Sequence, residues 1–325
     1  MKALQFTGGT DRRVADLEIP EPAADEVLVA SRSVGICHSD IELLEGRYII
    51  PFQYPVIPGH EWSGEVVARG GDVTEFAVGD RVIGECVIGT DHFGFSISGA
   101  AAEFFIAKPS WLHRIPDSMT STQAALVEPF SCGYYAITQA GDVDAADTAV
   151  VLGAGPIGLG VVAAAAGRGA RVVVVDRNPD RLELAGKLGA HHTLEPGDGL
   201  QDAIGSLTAG RGADVVVEAS GSTAAMASAL EIAGFRARLV NVGIDVGGSA
   251  PAKLGLIQSK ELTVRGTIGS PGVWERTLRF LEGTGTDLSP LVTASFPLSR
   301  ADEAVDLVHR GTGQVKVHLT SEATL

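Results

Sequence analysis

Side chains of the kinds that bind zinc lie in three short segments of the first half of the chain. Cys37 begins a Cys-His-Ser-Asp sequence, His60 and Glu61 are adjacent, and Glu128 follows much later. A thiolate, an imidazole and a carboxylate are ligands that zinc takes, and a catalytic zinc leaves one position open. Asp40 can accept a hydrogen bond from the second ring nitrogen of a ligating histidine. The set predicts a catalytic zinc site, although each residue alone is more often structural.

A glycine-rich segment in the second half predicts a cofactor site. Gly153, Gly155 and Gly158 form the pattern G-x-G-x-x-G between a strand-like segment and a helical one, with Pro156 and Ile157 at the helix start. The first glycine permits the turn, the second lets the backbone approach a pyrophosphate, and the third lets helix and strand pack closely. The alternative is that these glycines only turn the chain into a helix. The surrounding strand pattern favours a dinucleotide site.

The acidic residue expected after such a loop is also present. Asp176 ends the next strand-like segment, 23 residues after Gly153. A carboxylate there accepts hydrogen bonds from the ribose hydroxyls of NAD and repels the 2′-phosphate of NADP. The sequence therefore predicts NAD, although Arg177 and Arg181 stand nearby and an arginine can hold that phosphate. Zinc beside a nicotinamide has a chemical purpose, because zinc lowers the pKa of a bound hydroxyl and so favours the departure of hydride.

The elements that position the cofactor site alternate regularly. Strand-like runs rich in valine begin at Thr148, Arg171, Asp214, Ala237 and Glu261, with helical segments between the first four of them. This alternation predicts a doubly wound parallel sheet over residues 139–270. The uncharged run 150–167 reaches the length of a membrane helix, but its glycines and proline favour a strand, a turn and a helix. His191 and His192 are predicted to lie in a loop without a metal.

The elements around the zinc ligands have a different pattern. In residues 1–138 short strands such as EVLVA, SGEVVA and DRVIGE are broken by glycine and proline, which predicts an antiparallel, loop-rich β domain. After Gly272 a helix, a strand near Val292, a helix over residues 301–309 and a last strand, QVKVHL, are expected. This tail is too short for a domain and is predicted to pack on the N-terminal half.

The sequence resembles the zinc-dependent medium-chain dehydrogenase/reductase family. The segment 59–73, GHEWSGEVVARGGDV, fits the family pattern G-H-E-x-x-G-x5-G-x2-V, and GDRV follows at residues 79–82. The glycine-rich loop and Asp176 extend the resemblance over nearly the whole chain. It implies an α/β protein in which a GroES-like antiparallel β catalytic domain, residues 1–138 and 271–325, surrounds a Rossmann domain, residues 139–270.

The resemblance also implies roles for individual residues around the metal. Cys37 and His60 would be zinc ligands, and Glu61 would lie beside the metal, binding it directly or in exchange with water. Ser39 would begin the proton relay from the substrate hydroxyl. Glu42 stands where relatives often have a histidine that passes the proton to solvent. An equally good alternative is that Glu42 is only an exposed carboxylate on a helix.

Three further positions complete the comparison with the family. Lys316 matches a basic residue that contacts the pyrophosphate of the cofactor. Glu128, in EPFSCGY, stands where simple alcohol dehydrogenases carry a third zinc ligand, a cysteine, and this exchange resembles the branch that acts on polyols, sugars, threonine and aminocyclitols. The four-cysteine structural zinc lobe is missing, since only Cys86 remains between residues 84 and 94. One catalytic zinc per chain, and no structural zinc, is therefore implied.

Composition narrows the classes of function. Forty acidic and 25 basic side chains give a net charge of −15, which argues against a nucleic-acid partner. Three widely spaced cysteines, Cys37, Cys86 and Cys132, argue against a disulfide framework and favour a reducing compartment. The first residues contain no apolar stretch of signal-peptide length. We therefore expect a cytoplasmic protein without a membrane partner.

These observations predict NAD- and zinc-dependent oxidation of a secondary alcohol on a polyol, sugar, aminocyclitol or aminoglycoside. The stretch 54–64, YPVIPGHEWSG, resembles aminocyclitol dehydrogenases of antibiotic pathways. Tyr48 and Phe93 are expected either to line the substrate pocket or to pack in the core. A homodimer or homotetramer is expected. The alternatives are a zinc-free reductase of quinones or enones with the same fold, and a catalytically silent NAD(H)-binding regulator.

Overall fold

The computed structural model describes residues 1–311 and 313–325. The chain divides into two compact units. Unit 1 contains Met1–Glu128, Trp274–Glu282 and Leu288–Leu325, and unit 2 contains Pro129–Val273 and Gly283–Asp287. The sequence predicts domain boundaries after residues 138 and 270. The first boundary of the compact units lies earlier, after Glu128, and falls within a helix.

The secondary structure follows chain order. The strands are β1 (Lys2–Gly8), β2 (Asp11–Asp16), β3 (Val27–Ile36), β4 (Glu61–Arg69), β5 (Arg81–Gly84), β6 (Val87–Ile88), β7 (Asp91–His92), β8 (Phe104–Ala107), β9 (Leu112–Arg114), β10 (Thr148–Leu152), β11 (Arg171–Val175), β12 (His192–Leu194), β13 (Ala213–Glu218), β14 (Ala233–Asn241), β15 (Thr263–Gly266), β16 (Val292–Pro297) and β17 (Lys316–Thr320). The α-helices are α1 (His38–Leu44), α2 (Ser121–Ala125), α3 (Val127–Gln139), α4 (Pro156–Ala166), α5 (Pro179–Lys187), α6 (Leu200–Leu207), α7 (Thr223–Ile232), α8 (Gly255–Ser259), α9 (Trp274–Thr284) and α10 (Ala301–His309). Short 3-10 helices cover Pro109–Trp111, Ser289–Leu291 and Leu298–Arg300.

Unit 2 is built on a parallel sheet. Within the described residues its strand order is β12-β11-β10-β13-β14-β15, and every neighbouring pair is parallel. This is the doubly wound order in which two mononucleotide-binding halves meet between the first and fourth strands of the sheet. Valines such as Val150, Val173 and Val216 are fully buried, because helices cover both faces of such a sheet. The predicted Rossmann sheet is confirmed.

Two segments of unit 2 were open or wrongly predicted from the sequence, namely the segment at His192 and the uncharged run 150–167. His192 begins the short strand β12, which pairs with β11, so the loop expected there is wrong for this residue. The uncharged run 150–167 is the end of β10, a turn and helix α4. In the described part of the chain no helix has the length and apolar character needed to cross a membrane.

Unit 1 is built on a largely antiparallel sheet. Among the described residues, the strands follow the order β16-β17-β3-β4-β5-β9, and β8 pairs with β3. Strand β17, from the tail of the chain, lies antiparallel to β3 with Val317 opposite Ile36, and β16 lies parallel to β17. The tail therefore completes the sheet that carries the predicted zinc ligands, and the predicted GroES-like β domain is confirmed.

An aromatic cluster fills the core of unit 1 beside this sheet. The ring of Trp62 lies 4.7 Å from that of Phe105 and 5.8 Å from that of Phe93 between centroids. Phe93 is 2% exposed. Of the two roles considered for Phe93, the structure therefore shows core packing.

Candidate active site

The end of β3 and the start of α1 hold Cys37. Strand β3 ends at Ile36, and Cys37 is the N-cap of the helix. The Cys37 backbone N–H donates to Asp40 Oδ2 at 2.8 Å, and the Asp40 N–H donates to the Cys37 carbonyl at 3.2 Å. These reciprocal bonds satisfy N–H groups that a helix start leaves without partners. They also fix where the Cys37 side chain leaves the backbone.

His60 and Glu61 enter the site from the start of β4. Gly59, just before them, has φ +97°, and a Cβ there would lie 2.8 Å from Val34 Cγ1 and 2.9 Å from the Ala101 nitrogen. A glycine is therefore needed for the turn into β4. One ligand atom each of Cys37, His60 and Glu61 lies within 4.8 Å of the others. Cys37 thus forms one cluster with two residues that lie 23 and 24 positions further along the sequence.

Asp40 orients the His60 ring. Its Oδ1 lies 3.4 Å from His60 Nδ1, and both side chains are almost fully buried. Burial alone would lower the pKa of His60, but the neighbouring Asp40 carboxylate raises it well above its usual value. Because Nδ1 faces Asp40, Nε2 is the ring nitrogen left for a metal.

Glu61 contacts a buried lysine. Lys316 Nζ donates to Glu61 Oε1, and the side chains of Lys316 and Glu61 are 3% and 1% exposed. Burial would lower the pKa of Lys316, but the Glu61 carboxylate raises it above its usual value. The resemblance assigned Lys316 to the cofactor's pyrophosphate. That role stays a prediction, and the contact that the structure shows is with Glu61.

Glu128 lies near this cluster without belonging to it. It sits in the first turn of α3 and is partly buried. The pKa of its carboxyl is raised to about 7, mainly by burial and also by the like charge of Glu61, while the nearby His60 opposes this shift. A carboxyl in this state can take up or release a proton near neutral pH.

The donor set of the cluster fits zinc. Sulfur, imidazole nitrogen and carboxylate oxygen are three of its ligand types, and three protein ligands are what a catalytic zinc uses. Among the described residues, Glu61 Oε2 is a buried oxygen without a hydrogen-bond partner. A buried carboxylate oxygen is costly unless something pairs with it. A cation at the centre of Cys37, His60 and Glu61 would provide that partner.

The residues of the predicted proton relay lie on α1. Ser39 is partly buried, two residues after Cys37. Glu42 is one turn further along, and its Oε1 accepts a hydrogen bond from Arg47 at 2.8 Å and lies 4.0 Å from Nε2 of the exposed His38. The structure thus places Glu42 in a partly solvated ion pair with Arg47.

The glycine-rich loop has the steric properties expected for a dinucleotide. Gly153 has φ +99°, and a Cβ there would lie 2.8 Å from Ser220. A Cβ on Gly155, the N-cap of α4, meets nothing within 4 Å, which leaves the backbone open to a ligand. A Cβ on Gly158 would lie 1.9 Å from the Gly153 carbonyl oxygen. Pro156 and Ile157 form the first turn of α4, whose free N–H groups suit a phosphate.

Asp176, which directly follows β11, is hydrogen-bonded to this glycine-rich loop. Its Oδ2 accepts a hydrogen bond from the Ala154 N–H at 2.7 Å, and its Oδ1 accepts one from the Asn178 N–H at 2.8 Å. Each carboxylate oxygen keeps a further lone pair for a ribose hydroxyl. Arg177 is exposed beside it, and Arg181 is partly buried in α5. The structure thus joins Asp176 to the glycine-rich loop, and the roles of Arg177 and Arg181 stay predictions.

Sequence reasoning did not identify the aromatic stack behind His60. The Tyr48 ring stacks on Phe95 with centroids 4.5 Å apart, and Phe95 lies 4.9 Å from the His60 ring. Burial raises the pKa of the Tyr48 hydroxyl above its usual value. The stack places Tyr48, one of the two expected pocket walls, one ring away from a predicted metal ligand.

Comparisons with known proteins show the family to which the chain belongs. The family model described as alcohol dehydrogenase GroES-like domain matches residues 23–117, and the model described as zinc-binding dehydrogenase matches residues 156–283. Erythritol/L-threitol dehydrogenase of Mycolicibacterium smegmatis is 33% identical over 98% of this chain and 97% of its own. Sorbitol dehydrogenase of Bacillus subtilis is 31% identical over 94% and 93%.

Solved structures extend the likeness to the whole chain. The 2R,3R-butanediol dehydrogenase of Bacillus subtilis matches with a TM-score of 0.91 and 28% identity, covering 99% of each chain. A zinc-binding dehydrogenase of Sinorhizobium meliloti, described as bound to NADP, matches with a TM-score of 0.90 and 26% identity over 98% and 99%.

Proposed function

We propose that this chain, which belongs to the zinc-type medium-chain dehydrogenase family, is an NAD-dependent enzyme that oxidises a secondary alcohol of a polyhydroxylated or amino-substituted small molecule. The family is one of alcohol oxidoreductases that use NAD or NADP. The observation that carries the proposal is the cluster of the partly buried Cys37 and the buried His60 and Glu61, with ligand atoms within 4.8 Å of one another.

The metal would be held by the cluster in unit 1. Cys37, His60 and Glu61 would bind one zinc, with Glu128 as a neighbouring carboxylate able to replace Glu61. When bound, zinc supplies Lewis-acid activation of the substrate hydroxyl. Asp40 keeps His60 oriented, and Lys316 pairs with the Glu61 carboxylate.

The proton of the substrate hydroxyl would leave along α1. Ser39 would accept it, since a hydroxyl both donates and accepts hydrogen bonds. Glu42, already paired with Arg47 at the edge of solvent, would pass it on. A positioned proton acceptor of this kind contributes roughly 10²- to 10⁴-fold to a rate.

The cofactor would be bound by unit 2. NAD supplies the acceptor for hydride. Gly155 and the first turn of α4 would hold the pyrophosphate, and Asp176 would hold the adenosine ribose. A 2′-phosphate would meet the Asp176 carboxylate, so we propose NAD over NADP. The exposed Arg177 is the residue that would hold the phosphate if NADP were used.

The substrate class follows from the relatives and the charge. The matched proteins include dehydrogenases of erythritol, sorbitol and butanediol, all of which carry neighbouring hydroxyls. The net charge of −15 attracts cationic substrates and disfavours anionic ones at a distance. The resemblance of residues 54–64 adds aminocyclitols and aminoglycosides of antibiotic biosynthesis to the candidates.

The enzyme would act as a homodimer or homotetramer. Strand β15 is at the edge of the parallel sheet, and all four of its residues are exposed, including Val264 at 41%. An exposed edge strand presents unpaired backbone groups that pair readily with another chain.

A substrate screen tests the proposal. Purified protein is supplied with NAD and a panel of polyols, cyclitols and aminoglycosides, and NADH formation is followed by absorbance. We expect turnover with at least one polyhydroxylated compound and loss of turnover after chelation. Turnover that survives removal of all metal, or none with any alcohol, would reject the proposal.

A further inference from the structure

Glu61 and Lys316 pair although a strand lies between them. Strand β3 has β4, which carries Glu61, on one side and β17, which carries Lys316, on the other. Neighbouring strands are about 4.8 Å apart, so the two outer strands are separated by about 9.5 Å. The ion pair must therefore pass over the face of β3.

The residue of β3 over which the pair passes is Gly35. Gly35 is opposite Glu61 in the pairing of β3 with β4, and opposite His318 in the pairing of β3 with β17. A Cβ on Gly35 would lie 2.3 Å from Glu61 Oε2 and 3.3 Å from its Cδ. The Glu61 carboxylate thus occupies the volume that a side chain at position 35 would fill.

Backbone conformation does not explain this glycine. Gly35 is not among the glycines with positive φ and lies in regular strand, a conformation that other residues adopt easily. A glycine inside a strand is unfavourable unless something approaches its Cα closely. Here the close approach is the carboxylate of Glu61.

We propose that Gly35 is a positioning residue for the active site. Because Gly35 has no side chain, the Glu61 carboxylate can lie against its Cα and reach Lys316. In that position a carboxylate oxygen of Glu61 also stays within 4.8 Å of the ligand atoms of Cys37 and His60. A methyl group at position 35 would displace the Glu61 carboxylate from the space beside the Gly35 Cα. Glu61 then loses Lys316, the metal, or both. The link to the metal rests on the proposed zinc site.

The first test is a double-mutant cycle in the full chain, read by urea unfolding. Gly35→Ala should lower the unfolding midpoint strongly in the presence of Glu61 and much less when Glu61→Ala is also present. After that change the Cβ of residue 61, 3.2 Å away, is the one remaining close neighbour among those three contacts. If Gly35→Ala alone does not fold, folding of the double variant supports the proposal equally well.

Gly64→Ala is the matched control on the neighbouring strand. A Cβ there would lie 2.4 Å from Val29 Cγ1 and 2.7 Å from the Ala30 carbonyl, so the steric conflict is similar but involves no carboxylate. Its effect should be the same with Glu61 or Ala at position 61. Equal effects of Gly35→Ala in the two backgrounds, or a double variant that also fails to fold, would overturn the proposal.

The second test reads the metal site directly. We expect Gly35→Ala to weaken zinc binding by roughly 10- to 100-fold, the range for loss of a group that orients a ligand. It should also change the visible spectrum of the Co²⁺-substituted protein, whereas Gly64→Ala should leave the spectrum unchanged. An unchanged spectrum and affinity would overturn the link to the metal. If the wild type binds no zinc, the proposed function fails, and the cycle still decides whether Gly35 positions Glu61.

Discussion

Replacing Asp40 by asparagine should weaken zinc binding without removing a ligand. Asp40 Oδ2 accepts from the Cys37 N–H at 2.8 Å, and its Oδ1 lies 3.4 Å from His60 Nδ1. The asparagine oxygen can keep the first contact, so the start of α1 stays capped. The asparagine NH₂ then faces His60 Nδ1, and the negative charge 3.4 Å from that nitrogen is lost.

The size of the effect follows from the role of Asp40 toward His60. Partners that orient a ligating histidine are worth about 10- to 100-fold in metal affinity. This factor corresponds to about 1.4 to 2.8 kcal/mol of binding free energy. The loss should be at the upper end, because the pair is buried and solvent cannot replace the carboxylate.

The assay is competition for zinc with a chromophoric chelator at constant pH. Glu45→Gln is the control, since Glu45 follows the same helix and pairs with Arg47 near the surface. We expect an unchanged zinc Kd for Glu45→Gln and a raised one for Asp40→Asn. A change of less than about threefold for Asp40→Asn would refute the inference that Asp40 orients His60 toward the metal.

Four further outcomes are expected. Cys37→Ser should lose bound zinc and activity while its unfolding midpoint stays near that of the wild type, and retention of zinc, seen by elemental analysis, would contradict this. Ser39→Ala should lower kcat by roughly 10²- to 10⁴-fold, and near-normal turnover would remove Ser39 from the proton path. Wild-type kcat/KM should be higher for NAD than for NADP, with the preference reduced in Asp176→Ala; a wild-type preference for NADP would instead point to Arg177. Val264→Lys should shift the mass measured by light scattering toward the monomer, and an unchanged oligomer would exclude pairing through β15.

Much of the fold could be predicted because its signals are local. Strands β10, β11 and β13 of unit 2 are runs rich in valine, and helix α10 has the predicted bounds, residues 301–309. Strand β12 was missed because it has three residues and no apolar run. Helix α3 was missed because Pro129 and Gly133 weaken its helical signal, which tertiary packing overrides.

The site could be predicted as a set of residues, whereas its geometry could not. Motif and ligand chemistry identified Cys37, His60 and Glu61, which the structure brings together. The pair of Glu61 with Lys316 joins residues 255 positions apart, and it exists because β17 adds to the sheet beside β3. Nothing local to either residue indicates that contact.

The proposed function is tested most directly by the rate of NADH formation on a polyhydroxylated alcohol, measured before chelation, after chelation, and after one zinc per chain is restored. We expect a rate well above that with ethanol, loss of the rate when zinc is removed, and recovery when zinc is returned. A rate that is independent of zinc, or a far better rate with ethanol than with any polyol, sugar or aminocyclitol, would contradict it.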